Sequence, residues 1–198
     1  ELTVGLPQWI TAGTGMDAFA HCLEAYCSPH FHPMSHGIAL EGLRLVNAYL
    51  PRAHADGSDI EARGQMMAAA AMGAVAFQKG LGAIHALSHP VGAVFGTHHG
   101  TTNAVVMPAV LAFNRPAIEG KLAQAGTYLG IPGGFEGFAA RVAELNETFG
   151  MPAGLGAMGV DAARIDELTS MALEDPSVGG NPVPMTAENT RALFLAAM

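Results

Sequence analysis

Basic residues are scarce in this chain of 198 residues. Only nine are Lys or Arg, against 17 Asp and Glu, which gives a formal net charge of -8 at pH 7. Proteins that bind nucleic acid without sequence preference depend on Lys and Arg side chains that neutralise phosphates. Nine scattered cations in an acidic chain do not form such a surface. We therefore expect no nucleic-acid partner.

Long hydrophobic runs and signal-like segments are missing as well. The longest apolar run, Met66 to Phe77, is shorter than the roughly 20 residues that a membrane-spanning helix needs. The segment from Glu1 to Trp9 lacks the basic stretch followed by an apolar one that marks a secretory signal peptide. Cys22 and Cys27 form no CxxC pattern and are typical of buried thiols in a reducing compartment. We expect a cytoplasmic protein without a membrane partner.

Charged residues of both signs make up only 13% of the chain, and 50% of it is hydrophobic. An ordinary soluble domain has roughly 25% charged residues. There are too few charges here to cover a normal exposed surface. Another copy of the chain, or a domain outside these residues, would cover the remainder, and composition does not choose between the two.

The spacing of apolar residues predicts helices almost throughout, and only Leu2 to Val4 predicts a short strand. The predicted helices cover residues 14–27, 34–50, 58–78, 83–88, 100–113, 116–129, 135–149, 161–173 and 187–197. Chain length and helix number together predict an all-α fold, with one compact multi-helix domain over residues 1–198.

Capping residues and prolines set the predicted helix ends. Thr14 with Asp17 matches the capping pattern T-x-x-D, and Ser58 with Glu61 matches a capping box. The second helix is predicted to end before Pro51, because a proline inside a helix removes a hydrogen bond. The short helix over 83–88 is predicted to end or kink at the next proline for the same reason.

Histidine is abundant, with nine in the chain and four of them in IHALSHPVGAVFGTHHG at 84–100. His85 and His89 are four residues apart, so they share one face of a helix, and Asp17 and His21 have the same spacing. One carboxylate with several imidazoles suits Zn²⁺ or Fe²⁺ better than Mg²⁺ or Ca²⁺, which favour oxygen ligands. These pairs predict a metal or catalytic site.

Simpler interpretations exist for each of these residues. Asp17 alone is typical of a helix cap, and a single helical histidine is more often an ordinary side chain than a ligand. Here, however, the histidines lie among Ala, Gly, Leu and Val, where an unpartnered imidazole would lack hydrogen bonds. The adjacent His98 and His99 point in different directions on a helix, so at most one faces such a site.

A second group of histidines, His30, His32 and His36 in SPHFHPMSHG, could chelate a metal. A polar turn between prolines is the simpler interpretation of this segment. Gly-rich stretches at 80–82 and 154–159 lack both the Lys-Ser/Thr signature and the preceding strand of a phosphate-binding loop.

Two segments of the chain resemble the signatures of the iron-containing (group III) alcohol dehydrogenases. They are GMDAFAHCLEAYCS at 15–28 and GLGAIHALSHPVGAVFGTHHGTTNAVVMPAVLAFN at 80–114. The similarity continues through EGLRLV at 41–46 and NPVPMT at 181–186, so it covers essentially the whole chain.

This resemblance implies specific roles for five residues. The metal ligands of the family fall on Asp17, His21, His85 and His99, and no ligand position departs from the pattern. His89 takes the position of an active-site histidine that is not a ligand, close to the nicotinamide and the substrate. The implied cofactors are Fe²⁺ or Zn²⁺, with NAD or NADP in the complete enzyme.

The resemblance also implies an architecture. The chain would be the helical, C-terminal half of a dehydroquinate synthase-like fold, and residues 1–13 would lead in from a preceding domain. The family's N-terminal α/β domain, with its GGGS-type phosphate-binding motif, is absent from these residues. We therefore expect this chain alone to hold the metal but to be inactive, with the missing domain and further copies in a homo-oligomer as partners.

The implied reaction interconverts small alcohols and aldehydes or ketones by hydride transfer to NAD(P), with the metal as a Lewis acid on the substrate oxygen. Two alternatives stay open. One is a metal-dependent lyase related to dehydroquinate synthase, and the other is a truncated, non-catalytic helical domain.

Overall fold

The central element of the fold is a long helix, α1 (Gln8–Cys27). Fourteen of its 20 residues are buried, and a helix that is apolar on most of its faces has to be covered on most sides. In the computed structural model, which describes all 198 residues, α2 (Pro33–Ala55), α3 (Ile60–Ala76) and α5 (His99–Leu129) pack around it.

The remaining elements complete an arrangement with no strand. The other helices are α4 (Ala83–Phe95), α6 (Gly134–Thr148), α7 (Ile165–Glu174) and α8 (Ala187–Ala196), and 3₁₀ turns lie at Phe77–Lys79, Gly156–Met158, Ala162–Arg164 and Pro176–Gly180. The predicted all-α class is confirmed. The predicted strand at Leu2 to Val4 is wrong, because this segment forms turns in which the Val4 N–H donates to the Glu1 carbonyl.

Two predicted helix starts are also wrong. The first helix begins at Gln8, so Thr14 lies inside it and donates its hydroxyl to the Ile10 carbonyl instead of capping. The third helix is capped by Asp59, whose side chain accepts the Ala62 N–H at 2.9 Å. A short polar residue followed by an acid also occurs inside helices, so the capping pattern alone does not locate the first turn.

Prolines end fewer helices than predicted. Pro51 lies inside α2 and Pro90 lies inside α4. Each proline removes one backbone donor at a cost of about 3 kcal/mol. Leu87 and Val91, on either side of Pro90, are fully buried, and burial of such side chains contributes about 1.5–3 kcal/mol each. Packing on both sides of the proline therefore keeps the helix continuous.

One hydrophobic cluster of 43 buried residues runs from Ala12 in α1 to Ala197 after α8, so the two ends of the chain share a core. Cys22 and Cys27 are buried free thiols within it, as predicted. No single helix is long and apolar enough to cross a membrane. The segments Ile60–Lys79 and Ala83–Phe95 meet that criterion only together, across a bend of 108°. The lead-in role of residues 1–13 stays a prediction, and α1 already begins within them.

Candidate metal centre

Two glycines bring α1 and α5 into close contact beside the predicted site. A Cβ atom on Gly100 would lie 2.0 Å from the Gly13 carbonyl oxygen, and one on Gly13 would lie 2.4 Å from the His98 ring. A side chain at position 100 would clash with the backbone of α1, whereas one at position 13 would require the His98 ring to move. The contact places the first residue of α5, His99, beside Asp17 one turn along α1.

Three helices deliver the four predicted ligands to one place. Asp17 and His21 come from successive turns of α1, His85 from the first turn of α4, and His99 from the start of α5. Asp17 Oδ1 lies 3.6 Å from His85 Nε2 and 3.3 Å from His99 Nε2. Neighbouring ligand atoms of a tetrahedral ion with bonds near 2.1 Å are about 3.4 Å apart. These spacings therefore fit a bound ion.

His21 extends the cluster on the other side of the carboxylate. Its Nδ1 lies 3.9 Å from Asp17 Oδ2, and its ring stacks on that of His85 with centroids 4.6 Å apart. Ligand atoms of Asp17, His21 and His85 all lie within 4.8 Å of one another, and this is the chain's one cluster of three or more potential metal ligands at such spacing. His99 adjoins this group through Asp17.

Asn103, which sequence reasoning missed, places its side-chain NH₂ group beside three of the predicted ligand atoms. Its amide Nδ2 lies 2.8 Å from Asp17 Oδ1, 3.1 Å from His99 Nε2 and 3.4 Å from His85 Nε2, whereas its buried Oδ1 has no partner. One carboxylate oxygen and two imidazole nitrogens thus surround the NH₂ group of Asn103. A divalent cation is the natural partner for such a set, so these residues fit the metal that the resemblance implies.

Glu24 is a second residue that sequence reasoning missed. Its Oε2 lies 2.6 Å from His85 Nδ1 and its Oε1 accepts the Ile84 N–H at 2.6 Å, and both contacts are buried. A carboxylate on one ring nitrogen places the proton there and leaves the other nitrogen, here Nε2, free for a metal. Glu24 follows His21 by three residues, but no local pattern pairs it with a histidine 61 positions away.

His89 lies at the edge of the cluster, with its ring stacked on that of His99 at 5.3 Å. Its Nδ1 contacts Asp175 Oδ2 at 2.7 Å, while Asp175 Oδ1 accepts the Ser177 N–H at 2.8 Å. Burial raises the pKa of Asp175, but hydrogen bonds from Ser177 and His89 outweigh burial and lower it. The imidazole of His89, which is 43% exposed, is therefore held by a fixed carboxylate while remaining accessible.

The protein around the cluster favours a negative carboxylate. Burial raises the pKa of Asp17, but the neighbouring imidazoles of His85, His99 and His21 outweigh burial and hold it well below the usual range. Burial lowers the pKa of His85, yet Asp17 and Glu24 together raise it to about 9. Burial also lowers the pKa of His21. The site is thus built to hold positive charge.

Two other histidines, His98 and His32, have structural partners. His98 caps α5 by accepting the Thr101 N–H and packs edge-on against Trp9, so of the adjacent pair only His99 reaches the cluster. His32 caps α2 by accepting the Ser35 N–H at 3.1 Å. With His30 and His36 it forms no cluster of metal-ligand spacing, so the polar turn is the better interpretation of that segment.

The family model for the C-terminal region of Fe-containing alcohol dehydrogenases matches residues 11–198. The chain belongs to this family. Among similar proteins, the 4-hydroxybutyrate dehydrogenase of Cupriavidus necator is 43% identical over 207 residues, covering 100% of this chain and 54% of the relative. The NAD-dependent methanol dehydrogenase of Bacillus methanolicus is 38% identical, with the same coverages.

A crystal structure of a similar protein shows the same fold. A 1,3-propanediol oxidoreductase superimposes with a TM-score of 0.94 at 32% sequence identity, over 98% of this chain and 53% of the other. The chain therefore has the helical C-terminal fold of the family. It spans about half the length of the curated relatives that it matches.

Proposed function

We propose that this chain is the metal-binding half of an NAD(P)-dependent alcohol dehydrogenase that interconverts small alcohols and aldehydes or ketones. The metal is Fe²⁺, with Zn²⁺ as the alternative, and its ligands are Asp17, His21, His85 and His99. The observation that carries this proposal is the convergence of one carboxylate and three imidazoles from three helices. Asp17 lies 3.6 Å from His85 Nε2 and 3.3 Å from His99 Nε2, and His21 lies within 4.8 Å of the ligand atoms of Asp17 and His85. Membership of the iron-type family supports it.

When bound, the metal would supply a Lewis acid for the substrate oxygen. The residues of this chain prepare that role. Glu24 directs His85 Nε2 inward, and Asn103 Nδ2 hydrogen-bonds to Asp17 Oδ1. His89, held through Nδ1 by Asp175, keeps its other nitrogen available to exchange a proton with the substrate, and we assign it the contact with the nicotinamide.

The rest of the enzyme would come from outside these residues. We propose that an N-terminal α/β domain binds NAD or NADP across the cleft and that the complete protein forms a homo-oligomer in the cytoplasm. Met67 and Val75 of α3 and the adjoining Phe77 are exposed, and Phe77 lies 5.4 Å from the His21 ring. This apolar surface next to the metal centre suits coverage by a second domain.

Two measurements test the proposal. Elemental analysis of the purified chain should find one divalent ion per molecule, whereas a non-catalytic helical domain would contain none. The full-length protein should oxidise small alcohols with NAD or NADP, whereas a dehydroquinate synthase-like lyase would not.

Variants in the full-length protein then test the division of roles. His85→Ala and His99→Ala should each lose both metal and activity, and His89→Ala should keep its metal and lose turnover. Full metal content in either of the first two would refute the ligand assignment. Metal loss in the third would make His89 a ligand.

A further inference from the structure

The only two lysines of the chain, Lys79 and Lys121, meet at the C-terminal end of α1. Lys79 Nζ donates to the carbonyls of Ala25 at 2.9 Å and Tyr26 at 3.1 Å. Lys121 Nζ donates to the next two carbonyls, those of Cys27 and Ser28, at 2.8 and 3.0 Å. An ammonium group has three donors, so each lysine keeps one that these carbonyls do not use.

A pocket of about 310 Å³ is lined by both lysines. Its wall also includes His30, His32 and His36, and no Asp or Glu lines it. This is unusual in a chain with a net charge of -8. Every arginine except Arg63 contacts a carboxylate, so acids accompany most other cations of the molecule but are missing from this pocket.

The lining of the pocket is rich in hydrogen-bond donors. His32 Nδ1 accepts the Ser35 N–H, so the ring proton of the neutral imidazole resides on Nε2 and makes that nitrogen a donor. Lys79 is only 5% exposed and has no anionic partner. Burial and the charge of Lys121 lower its pKa to about 8. Burial and both lysines also lower the pKa of His36.

Stabilisation of the helix end accounts for only part of this arrangement. Cations at a helix C-terminus interact favourably with its carbonyls and dipole, which explains the four lysine contacts. His32 also caps α2, and the His36 ring packs on Tyr26 at 4.3 Å. None of these contacts explains why two like charges lie close together with no acid in the pocket. A bound anion would satisfy both the spare donors and the uncompensated charge.

We propose that this pocket, formed by Lys79, Lys121 and the histidines at 30, 32 and 36, binds the oxyanion group of a small molecule, a phosphate or a carboxylate. The site is separate from the metal centre. Ser28, at its edge, is seven residues beyond His21 along α1, or about 10 Å along the helix axis. The proposal therefore does not depend on the bound metal.

Phe31 permits a test that removes no native contact of the lysines. It lies at the pocket and is 92% exposed, so Phe31→Glu adds a carboxylate at the mouth, and Phe31→Gln is its neutral control of the same size. The wild-type chain should bind inorganic phosphate or acetate saturably in calorimetric titrations. Affinity should fall about tenfold or more in Phe31→Glu, equivalent to about 1.4 kcal/mol, and stay unchanged in Phe31→Gln.

Proton NMR of the histidine rings locates the bound anion. The Hε1 resonances of His30, His32 and His36 should shift during the titration while that of His85 stays fixed, with or without metal. Saturation by phosphate alone or by acetate alone identifies the preferred oxyanion, and either result supports the site. Binding by neither anion, equal weakening in both Phe31 variants, or shifts confined to the metal-centre histidines would overturn the proposal.

Discussion

Glu24 Oε2 lies 2.6 Å from Nδ1 of His85, and the other oxygen of the same carboxylate accepts the backbone N–H of Ile84. One side chain from α1 therefore holds both the ring of a predicted ligand and the helical turn that carries it. Asn181 supports the same turn from the opposite end of the chain, since its Oδ1 accepts the Ala83 N–H at 3.1 Å. The position of His85 depends on these buried contacts as well as on its own helix.

The variant Glu24→Gln should weaken metal binding. An amide can still accept the Ile84 N–H, but its NH₂ group cannot accept the proton of His85 Nδ1 and favours the ring form with that proton on Nε2, the nitrogen that faces Asp17. Loss of such a contact typically costs about 10- to 100-fold in metal affinity. Competition with a chelator measures the metal affinity of each variant. Glu61→Gln, which removes an exposed carboxylate, is the control, and equal affinities in the two variants would refute the role of Glu24.

Local sequence patterns account for the parts of the site that lie on one helix. The spacing of Asp17 and His21 predicts two side chains on one face of α1, and the structure places them so. Spacing does not choose between His98 and His99, and the family resemblance assigned the second. The contact between Glu24 and His85 joins residues 61 positions apart, and that between Asp175 and His89 joins residues 86 apart. Only packing of the whole chain brings these carboxylates to their partners.

The ends of the helices were predicted less well than their presence, because contacts between residues far apart along the chain also decide where a helix ends. Residues 100–113 and 116–129 were predicted as separate helices, yet α5 covers both and passes through Pro116. Asn114, on the turn before that proline, exchanges two side-chain hydrogen bonds with Asn181 at 2.8 and 2.9 Å. A contact 67 residues away along the chain helps to hold this turn, and no helix-ending rule contains that information.

In the full-length protein, Asp175→Asn should lower the proposed alcohol dehydrogenase turnover without releasing the metal. The asparagine can keep the cap on Ser177, but it no longer offers His89 a carboxylate that fixes the ring proton on Nδ1. Removal of a general acid or base lowers the reaction rate about 10²–10⁴-fold. We expect a decrease near the lower end of this range, because the His89 imidazole remains. The kcat should fall and its pH profile should shift, with metal content unchanged.

Asp161→Asn is the matched control for that variant, because Asp161 caps a 3₁₀ turn in the same way but contacts no histidine. A similar loss of turnover in both variants would mean that Asp175 only shapes its loop.

The metal-free chain should lose stability as the pH rises from about 6.5 to about 8, below the range in which the lowered pKa of Lys79 has the opposite effect. Burial lowers the pKa of His85, but Asp17 and Glu24 outweigh burial and raise it from 6.5 to about 9. The protonated ring therefore stabilises the fold below pH 6.5, and this contribution disappears as the pH passes through the folded pKa. Thermal unfolding without metal, measured across this range, should show a falling Tm.

Metal binding should have the opposite dependence on pH. A metal needs the deprotonated imidazole, so binding near neutral pH displaces a proton from His85 and apparent affinity increases up to about pH 9. Calorimetry in buffers of different ionisation enthalpy counts the released proton. A metal affinity that is flat from pH 6.5 to 9 would show that His85 is already neutral in the metal-free chain.

Gly100→Ala should both destabilise the fold and weaken metal binding. The new Cβ would lie 2.0 Å from the Gly13 carbonyl oxygen, a backbone atom that moves only if α1 and α5 separate. Overpacking of this kind costs about 1–3 kcal/mol or more, and the separation draws His99 away from Asp17.

Gly120→Ala in the same helix is the control, because its Cβ meets no atom within 4 Å and it should gain about 0.5–1 kcal/mol from helix propensity. In urea unfolding, the free energy of unfolding should fall in Gly100→Ala and rise in Gly120→Ala. In metal titrations, the affinity should fall only in Gly100→Ala. Unchanged metal affinity in a destabilised Gly100→Ala chain would show that the glycine contact serves the fold without positioning His99.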